Sequence, residues 1–242
     1  MELEIIKPAI FPKNEIISGI TTKNIKDFPE HGFSLSKGKI LNDEEVEKNR
    51  KLLADQLKTD QSHLIFQKQI HGDHARIIDN ESGIAESDAM ITDKKNIFIN
   101  ILIADCTAVL LYDKQRQVIA GIHSGWRGSQ LNITNKTIGK MAKEFGTVQS
   151  DLLAYVSPCA SGDKYEVEKN VADIFPRYVA KKSDTKYLFD NRKKVVDDLL
   201  NSGILLRNLE VSDKCTISNK NLHSHRREGD KAGRMSAFIG MV

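Results

Sequence analysis

The sequence predicts an α+β fold built as one domain, and three observations carry that reading. Apolar, β-rich runs occur in groups, and helical periodicities fall between the groups without the regular alternation that a doubly wound βαβ sheet requires. The chain has 242 residues, 40% of them hydrophobic, which is ample for a sizeable core. No repeat, low-complexity tract or Gly/Ser/Pro-rich linker divides residues 1–242, and the five prolines do not cluster at a boundary.

The elements follow in order. Asn42-Asp43-Glu44-Glu45 reads as a capping box, with Asn42 at the N-cap and Glu45 at N3. Val46, Leu53 and Leu57 recur after it at helical spacing, so a helix is expected over 43–58. Leu64-Ile65-Phe66 is a short β-like run. Residues 97–103, 107–112 and 117–122 read as strands bounded by turn residues, with 113–115 as a hairpin tip. A helix over 130–145 would bury Leu131, Thr134, Ile138, Met141 and Phe145 and stop at Gly146. Two more helices are expected, over 164–175 ended by Pro176 and over 190–202 ended by Gly203. Residues 235–242 read as a strand.

Charge and cysteine usage narrow the class. Lys and Arg number 36 against 33 Asp and Glu, for a net charge of +3. That balance neither demands nucleic acid nor excludes small anionic ligands. The first twenty residues lack the basic start and apolar run of a secretory signal, and no apolar window is long enough to span a bilayer. Cys106, Cys159 and Cys215 form a sparse, odd set that fits reduced thiols. A cytoplasmic globular protein is expected.

The chemistry concentrates in the middle third. His71 sits in Gln69-Ile70-His71-Gly72, Cys106 in Ala104-Asp105-Cys106-Thr107, and His123 at a strand-to-helix junction in Gly121-Ile122-His123-Ser124-Gly125-Trp126-Arg127-Gly128. Each offers one nitrogen or sulfur donor from a loop or strand end that a rigid scaffold can aim. Two imidazoles and a thiolate make a three-ligand zinc set with an open fourth position, where the metal lowers the pKa of a bound water toward about 7. The same residues also suit a cysteine nucleophile, Cys106, with His123 as base and Asp105 or Asp88 orienting the ring. Residues 223–234 crowd Arg226, Arg227, Lys231 and Arg234 together with His223 and His225, which reads as a phosphate contact or as a solvated basic loop. Cys215 with these two histidines is a weaker metal candidate. A salt bridge is the default role of Arg50 within its helix. Trp126 suits either the core or a pocket wall.

In order, the segments QIHG, ESDAMIT, ADCTAVLLYD, AGIHSGWRG, SPCASGDKYEV and SHRREGDKAGRMSAFI resemble the YfiH/YlmD family, also called the laccase-domain or multicopper polyphenol oxidase family. The resemblance runs from about residue 17 to the C-terminus. It implies a single-domain sandwich of mixed sheets flanked by helices, and a metal site at His71, Cys106 and His123. Zinc is the implied metal, with copper as the alternative. The implied activity is phosphorolysis of adenosine, inosine and methylthioadenosine to free base and ribose 1-phosphate, together with adenosine deamination. Laccase-like phenol oxidation and hydrolytic editing of cell-wall precursors are the alternatives ascribed to such proteins. Partners would then be a purine nucleoside and phosphate, acting on a monomer, with no nucleic acid or membrane. Arg50 and Arg127 are the expected phosphate contacts. The family's TTR-type loop reads Thr21-Thr22-Lys23 here, and lysine lacks the bidentate fork of arginine.

Overall fold

Two mixed sheets face one another across the main core, and helices cover their outer faces. This computed structural model describes residues 2–36, 40–79 and 83–242. In chain order the first elements are β1 (Ile5–Ile6), β2 (Ile16–Thr21), α1 (Asp43–Leu57), β3 (Leu64–Ile65), β4 (Ala75–Ile77) and β5 (Ala89–Thr92). The central hairpin region holds β6 (Phe98–Ile103), β7 (Thr107–Asp113) and β8 (Val118–Ser124), followed by α2 (Trp126–Gln130), α3 (Ile133–Phe145) and β9 (Leu152–Val156). The remainder comprises β10 (Glu166–Val167), α4 (Lys169–Ile174), β11 (Val179–Lys181), β12 (Tyr187–Phe189), α5 (Asn191–Asn201), β13 (Leu209–Val211), α6 (His225–Glu228) and β14 (Met235–Met241).

One sheet has the order β1-β2-β14-β6-β3, and the other β13-β9-β7-β8-β5-β4. Both mix parallel and antiparallel pairs: β3 runs parallel to β6, and β4 parallel to β5, while β14 is antiparallel to both neighbours. A three-stranded sheet, β10-β12-β11, stands apart. The α+β expectation and the helix-flanked sandwich both hold.

The period-two alternation of the strands divides the cores. In β6, Ile99, Ile101 and Ile103 join Ala108, Leu110 and Tyr112 of β7 and Ala237 and Ile239 of β14 between the sheets. Phe98 and Phe238 turn outward beneath Leu53, Ala54 and Leu57 of α1. On the opposite outer face, Val109, Leu111, Ala120 and Ile122 meet Ile133, Ile138 and Met141 of α3 and Val195 and Leu199 of α5. The sheets approach closely at Gly121, where a Cβ would lie 2.7 Å from a methyl of Ile99.

The capping box forms as expected: the Asn42 side chain accepts from the Glu45 amide, and the Glu45 carboxylate accepts from the Asn42 amide. Two helix expectations need correction. The helix placed over 130–145 is broken, because Asn132 takes a left-handed φ of 58°. That turn leaves Leu131 exposed and gives its core place to Ile133. The helix placed over 164–175 survives only as α4. Glu166 and Val167 instead pair with Leu188 and Tyr187, and Val167 is buried with Phe175 and Phe189, so tertiary pairing overrides the local helical pattern. Among the described residues no helix is long and apolar enough to cross a membrane.

Candidate metal centre

Three separate chain segments deliver the donors. His71 lies in the loop between β3 and β4, Cys106 in the tight connection between β6 and β7, and His123 near the end of β8. The ligand atoms of all three lie within 4.8 Å of one another, and this is the only such cluster of three or more His, Cys, Asp or Glu among the described residues. Cys106 Sγ is 3.9 Å from His71 Nε2, against roughly 3.6 Å for a nitrogen and a sulfur bound to one tetrahedral zinc. Space is kept open beside them by Gly125, where a Cβ would sit 2.9 Å from Cys106 Sγ and 3.1 Å from the His71 ring. Two imidazoles and a thiolate, mutually close and uncrowded, fit a zinc-type ion.

Asp88 builds this geometry. Fully buried, its carboxylate accepts the amides of Ile70, His71 and Gly72 and also receives His123 Nδ1 at 2.8 Å. His71 itself holds a left-handed φ of 60°, a conformation that costs free energy in a non-glycine residue and that these amide bonds stabilise. One carboxylate thus fixes the backbone under the first histidine and the ring of the second. With Nδ1 engaged, His123 presents Nε2 to the donor cluster. Asp105 does the matching work beside Cys106. With φ at 93°, it accepts from Thr216 Oγ1 at 2.6 Å and from the Arg226 amide at 2.7 Å.

The donors also perturb one another. Burial pushes the Cys106 thiol up, but the neighbouring charge of His123 and hydrogen bonds from His123 and His71 outweigh it and hold the thiol down at about 6. Burial likewise pushes His123 down, yet the thiolate of Cys106 and the Asp88 carboxylate raise it to about 9. The two shifts, thiol down and imidazole up, both favour a thiolate–imidazolium pair in the metal-free protein. Cys159 is buried and pushed up, whereas hydrogen bonds from Ser161 and Ser218 overcome burial to lower Cys215 to about 7. Iodoacetamide is expected to label Cys106 and Cys215 of metal-free protein and to spare Cys159. Added zinc should protect Cys106 alone, read by peptide mass spectrometry; labelling of Cys106 that zinc leaves unchanged would remove it from the centre.

Two cavities adjoin the triad. The larger, of about 460 Å³, is lined by Gln67, Lys68, Gln69 and Arg234 besides the three donors and His225. The smaller, of about 160 Å³, holds Gly125, Trp126, Arg127, Tyr165, Asn191 and Arg226 with His71, Cys106 and His225. Arg127 lies over the Trp126 ring at 4.3 Å, and Arg226 over Tyr165 at 4.9 Å. Arg50 is placed differently: it stacks on Phe66 at 4.2 Å, pairs with Glu47 at 3.0 Å, and lines neither cavity.

The basic C-terminal tract divides as well. Arg226 and Arg234 line the cavities, while Arg227 donates to the carbonyls of Thr216, Ile217 and Leu222 and to Glu228. Lys23 is held by Glu228 at 2.6 Å. His223 is buried, with Nε2 at 2.9 Å from the Phe33 carbonyl and Nδ1 at 3.7 Å from Glu228. Burial pushes the Glu228 carboxyl up, but His223, Lys23 and Arg227 together hold it far below the ordinary carboxylate range. Its stabilising effect is full above the unfolded-state pKa, about 4.3, and is lost as pH falls toward the folded-state value. Glu228→Gln is expected to cost about 2 kcal/mol in urea unfolding at pH 7. The cost should shrink steadily below pH 4; an equal cost at pH 3 and pH 7 would refute the charge-based account.

Some site residues carried little sequence signal. Tyr165 comes to the small cavity from the segment before β10 and Asn191 from the start of α5; Tyr165 lies within a motif, SPCASGDKYEV, that gave no role for it, and Asn191 lies in no motif at all. Asn191 is buried and ties Thr107 Oγ1, the Ser124 carbonyl and Ser129 Oγ together behind the site. Asp88 stood out only as one of two carboxylates able to orient a histidine.

Fold and site together define a helix-flanked α+β sandwich with a His₂Cys centre able to bind a metal. The family model described as multi-copper polyphenol oxidoreductase laccase matches residues 23–242, and the chain belongs to that family. It is 30% identical to purine nucleoside phosphorylase YlmD of Bacillus subtilis, over 94% of this chain and 89% of that protein. It is 33% identical to a purine nucleoside phosphorylase of Aquifex aeolicus, over 88% of this chain and 97% of the relative. Among solved structures it resembles Bacillus licheniformis YfiH, with a TM-score of 0.88 at 27% identity over 94% and 93% of the two chains. The same fold is seen in YlmD from Geobacillus stearothermophilus, at a TM-score of 0.86, 23% identity and 97% and 94% coverage.

Proposed function

We propose that this protein is a zinc-dependent purine nucleoside phosphorylase of the cytoplasm that cleaves adenosine, inosine and methylthioadenosine. The observation that carries the reading is the convergence of His71, Cys106 and His123 where a nucleoside-sized cavity meets a small cationic one. The names of the relatives supply the reaction class. In the larger cavity Gln67 keeps its amide nitrogen unpartnered and so able to serve a purine or its ribose, while Gln69 is held by the Leu102 backbone and Lys68 by Glu86. The smaller cavity suits phosphate. Arg127 and Arg226 supply its cations, and the only carboxylate lining it, Asp105, is already bonded through both oxygens. Holding phosphate there against the nucleoside converts a bimolecular encounter into an oriented attack on the ribose C1′. Zinc bound by the triad would supply a Lewis acid that withdraws electron density from the substrate. Gly125 keeps that space clear, and Asp88 keeps both histidines aimed into it.

Adenosine deamination is the expected side reaction at the same centre. Among the described residues neither cavity is lined by a glutamate that could shuttle its protons, so it should be the slower activity. Copper oxidation of phenols of the multicopper kind needs donor sets for several ions, and the described residues provide one cluster. The test is turnover of adenosine by metal-analysed protein with and without phosphate, products separated by chromatography. Adenine and ribose 1-phosphate formed only with phosphate are expected. Release of base at the same rate without phosphate, or no turnover of any of the three nucleosides by zinc-loaded protein, would reject the reading. In the second case the thiolate–imidazolium pair of Cys106 and His123 would favour an amide hydrolase that works after chelation.

A further inference from the structure

We propose that His225 is the proton donor to the departing purine, an inference that rests on the phosphorolysis reading. Among the chain's seven histidines, six have a partner: His31 lies 4.0 Å from Glu30, His63 meets Thr59, His71 meets Cys106, His74 meets the Glu86 carbonyl, His123 meets Asp88 and His223 meets the Phe33 carbonyl. Among the described residues nothing hydrogen-bonds the ring of His225 or pairs with it. It is nonetheless a wall residue of both cavities beside the triad. An imidazole without a protein partner at that place has both nitrogens available to a ligand.

The backbone beneath this ring is fixed. Ser224 caps the short α6 by accepting the Arg227 amide, and Asp105 accepts the Arg226 amide at 2.7 Å. The residue next to Cys106 therefore bonds to the residue next to His225, which ties the loop of the donor cluster to the start of α6. A wall shared by the phosphate cavity and the nucleoside cavity is where the glycosidic bond must lie when phosphate attacks from one side. The ring is also exposed, which allows exchange of protons with solvent between turnovers.

A phosphate oxygen forms a bond to the ribose C1′ as the C1′–N9 bond breaks, and the bonding pair passes into the purine. The imidazolium of His225 gives its proton to purine N7, yielding neutral base, and the ring regains a proton through solvent from the phosphate's own hydroxyl. General acid catalysis of this kind contributes about 10²–10⁴-fold.

A nucleoside already methylated at N7 carries the positive charge that protonation would supply, so its base leaves without an acid. His225→Asn and His225→Gln are therefore expected to cleave inosine about a hundredfold more slowly than the unaltered protein. On 7-methylinosine the same variants should lose less than about threefold, with zinc content and melting temperature unchanged. Equal losses on the two nucleosides, or full activity on inosine, would overturn the assignment of His225 while leaving phosphorolysis standing. Failure of the unaltered, zinc-loaded protein to cleave any of adenosine, inosine and methylthioadenosine in phosphate would overturn phosphorolysis itself, and His225 with it.

Discussion

Cys106→Ala is expected to lose stoichiometric zinc and at least about a thousandfold in phosphorolysis. A Lewis-acid metal supplies several kcal/mol of catalysis, and three orders of magnitude correspond to about 4 kcal/mol. Two imidazoles remain in the variant, but they lack the charged, soft donor that suits zinc best. Stability of the metal-free protein should change little, because Cys106 is only half-buried and the alanine leaves the strand pairing of β7 intact. Competition against a chromophoric chelator reads the metal, and turnover reads the rest. A variant that kept one tightly bound zinc and normal turnover would show that the triad is not the working centre. His123→Ala is a harsher change, since it also strips the buried Asp88 of its imidazole partner.

The second large effect is expected at Asp88, a residue that lines neither cavity beside the triad. Asp88→Ala removes the acceptor for three backbone amides and for His123 in a fully buried setting. Breaking one side of such a network typically costs about 3–5 kcal/mol, because the groups left behind are desolvated and unpaired. Removing an outer-shell carboxylate also lowers metal affinity about 10- to 100-fold. Burial pushes the Asp88 carboxyl up, but His123 and the Gly72 amide outweigh it and keep the carboxyl below its ordinary value. Its contribution is thus complete above the unfolded-state pKa and is lost as pH falls toward the folded-state one. Asp88→Asn, which keeps size and one acceptor, should recover part of the stability yet lose this acid dependence. Urea unfolding of metal-free protein between pH 3 and pH 7 measures both; an alanine variant within 1 kcal/mol of the parent would show that the loop holds itself.

How much of this was legible beforehand depended on whether the signal was local. The capping box at Asn42 and the apolar runs ending at Ile103 and Ser124 are local, and the elements formed within a residue or two of expectation. Residues 164–167 look helical only until Tyr187–Phe189 is laid beside them, and sequence order does not bring those segments together. The break at Asn132 is equally hidden, since the apolar period continues straight through it. At the site, the three donors were conspicuous through their residue types and surrounding motifs. The groups that orient them act through hydrogen bonds across 35 residues from Asp88 to His123 and 121 from Asp105 to Arg226, distances at which spacing carries no information.

The position of β14 bears on how the chain is made. It lies between β2 and β6, so the sheet that closes one side of the core has its middle strand synthesised last among its members. Ser236 bonds to Thr21 across 215 residues and to Asn100 across 136. At ordinary elongation rates, about 5–20 residues per second, β2 waits roughly 10–40 s for its neighbour. Through that interval one edge of β2 and one edge of β6 stay unpaired, and such edges invite pairing with other chains. Nascent chains stalled before β14 should accordingly need chaperone cover, and a fragment ending ahead of Met235 would be born aggregation-prone even though every metal donor is already present.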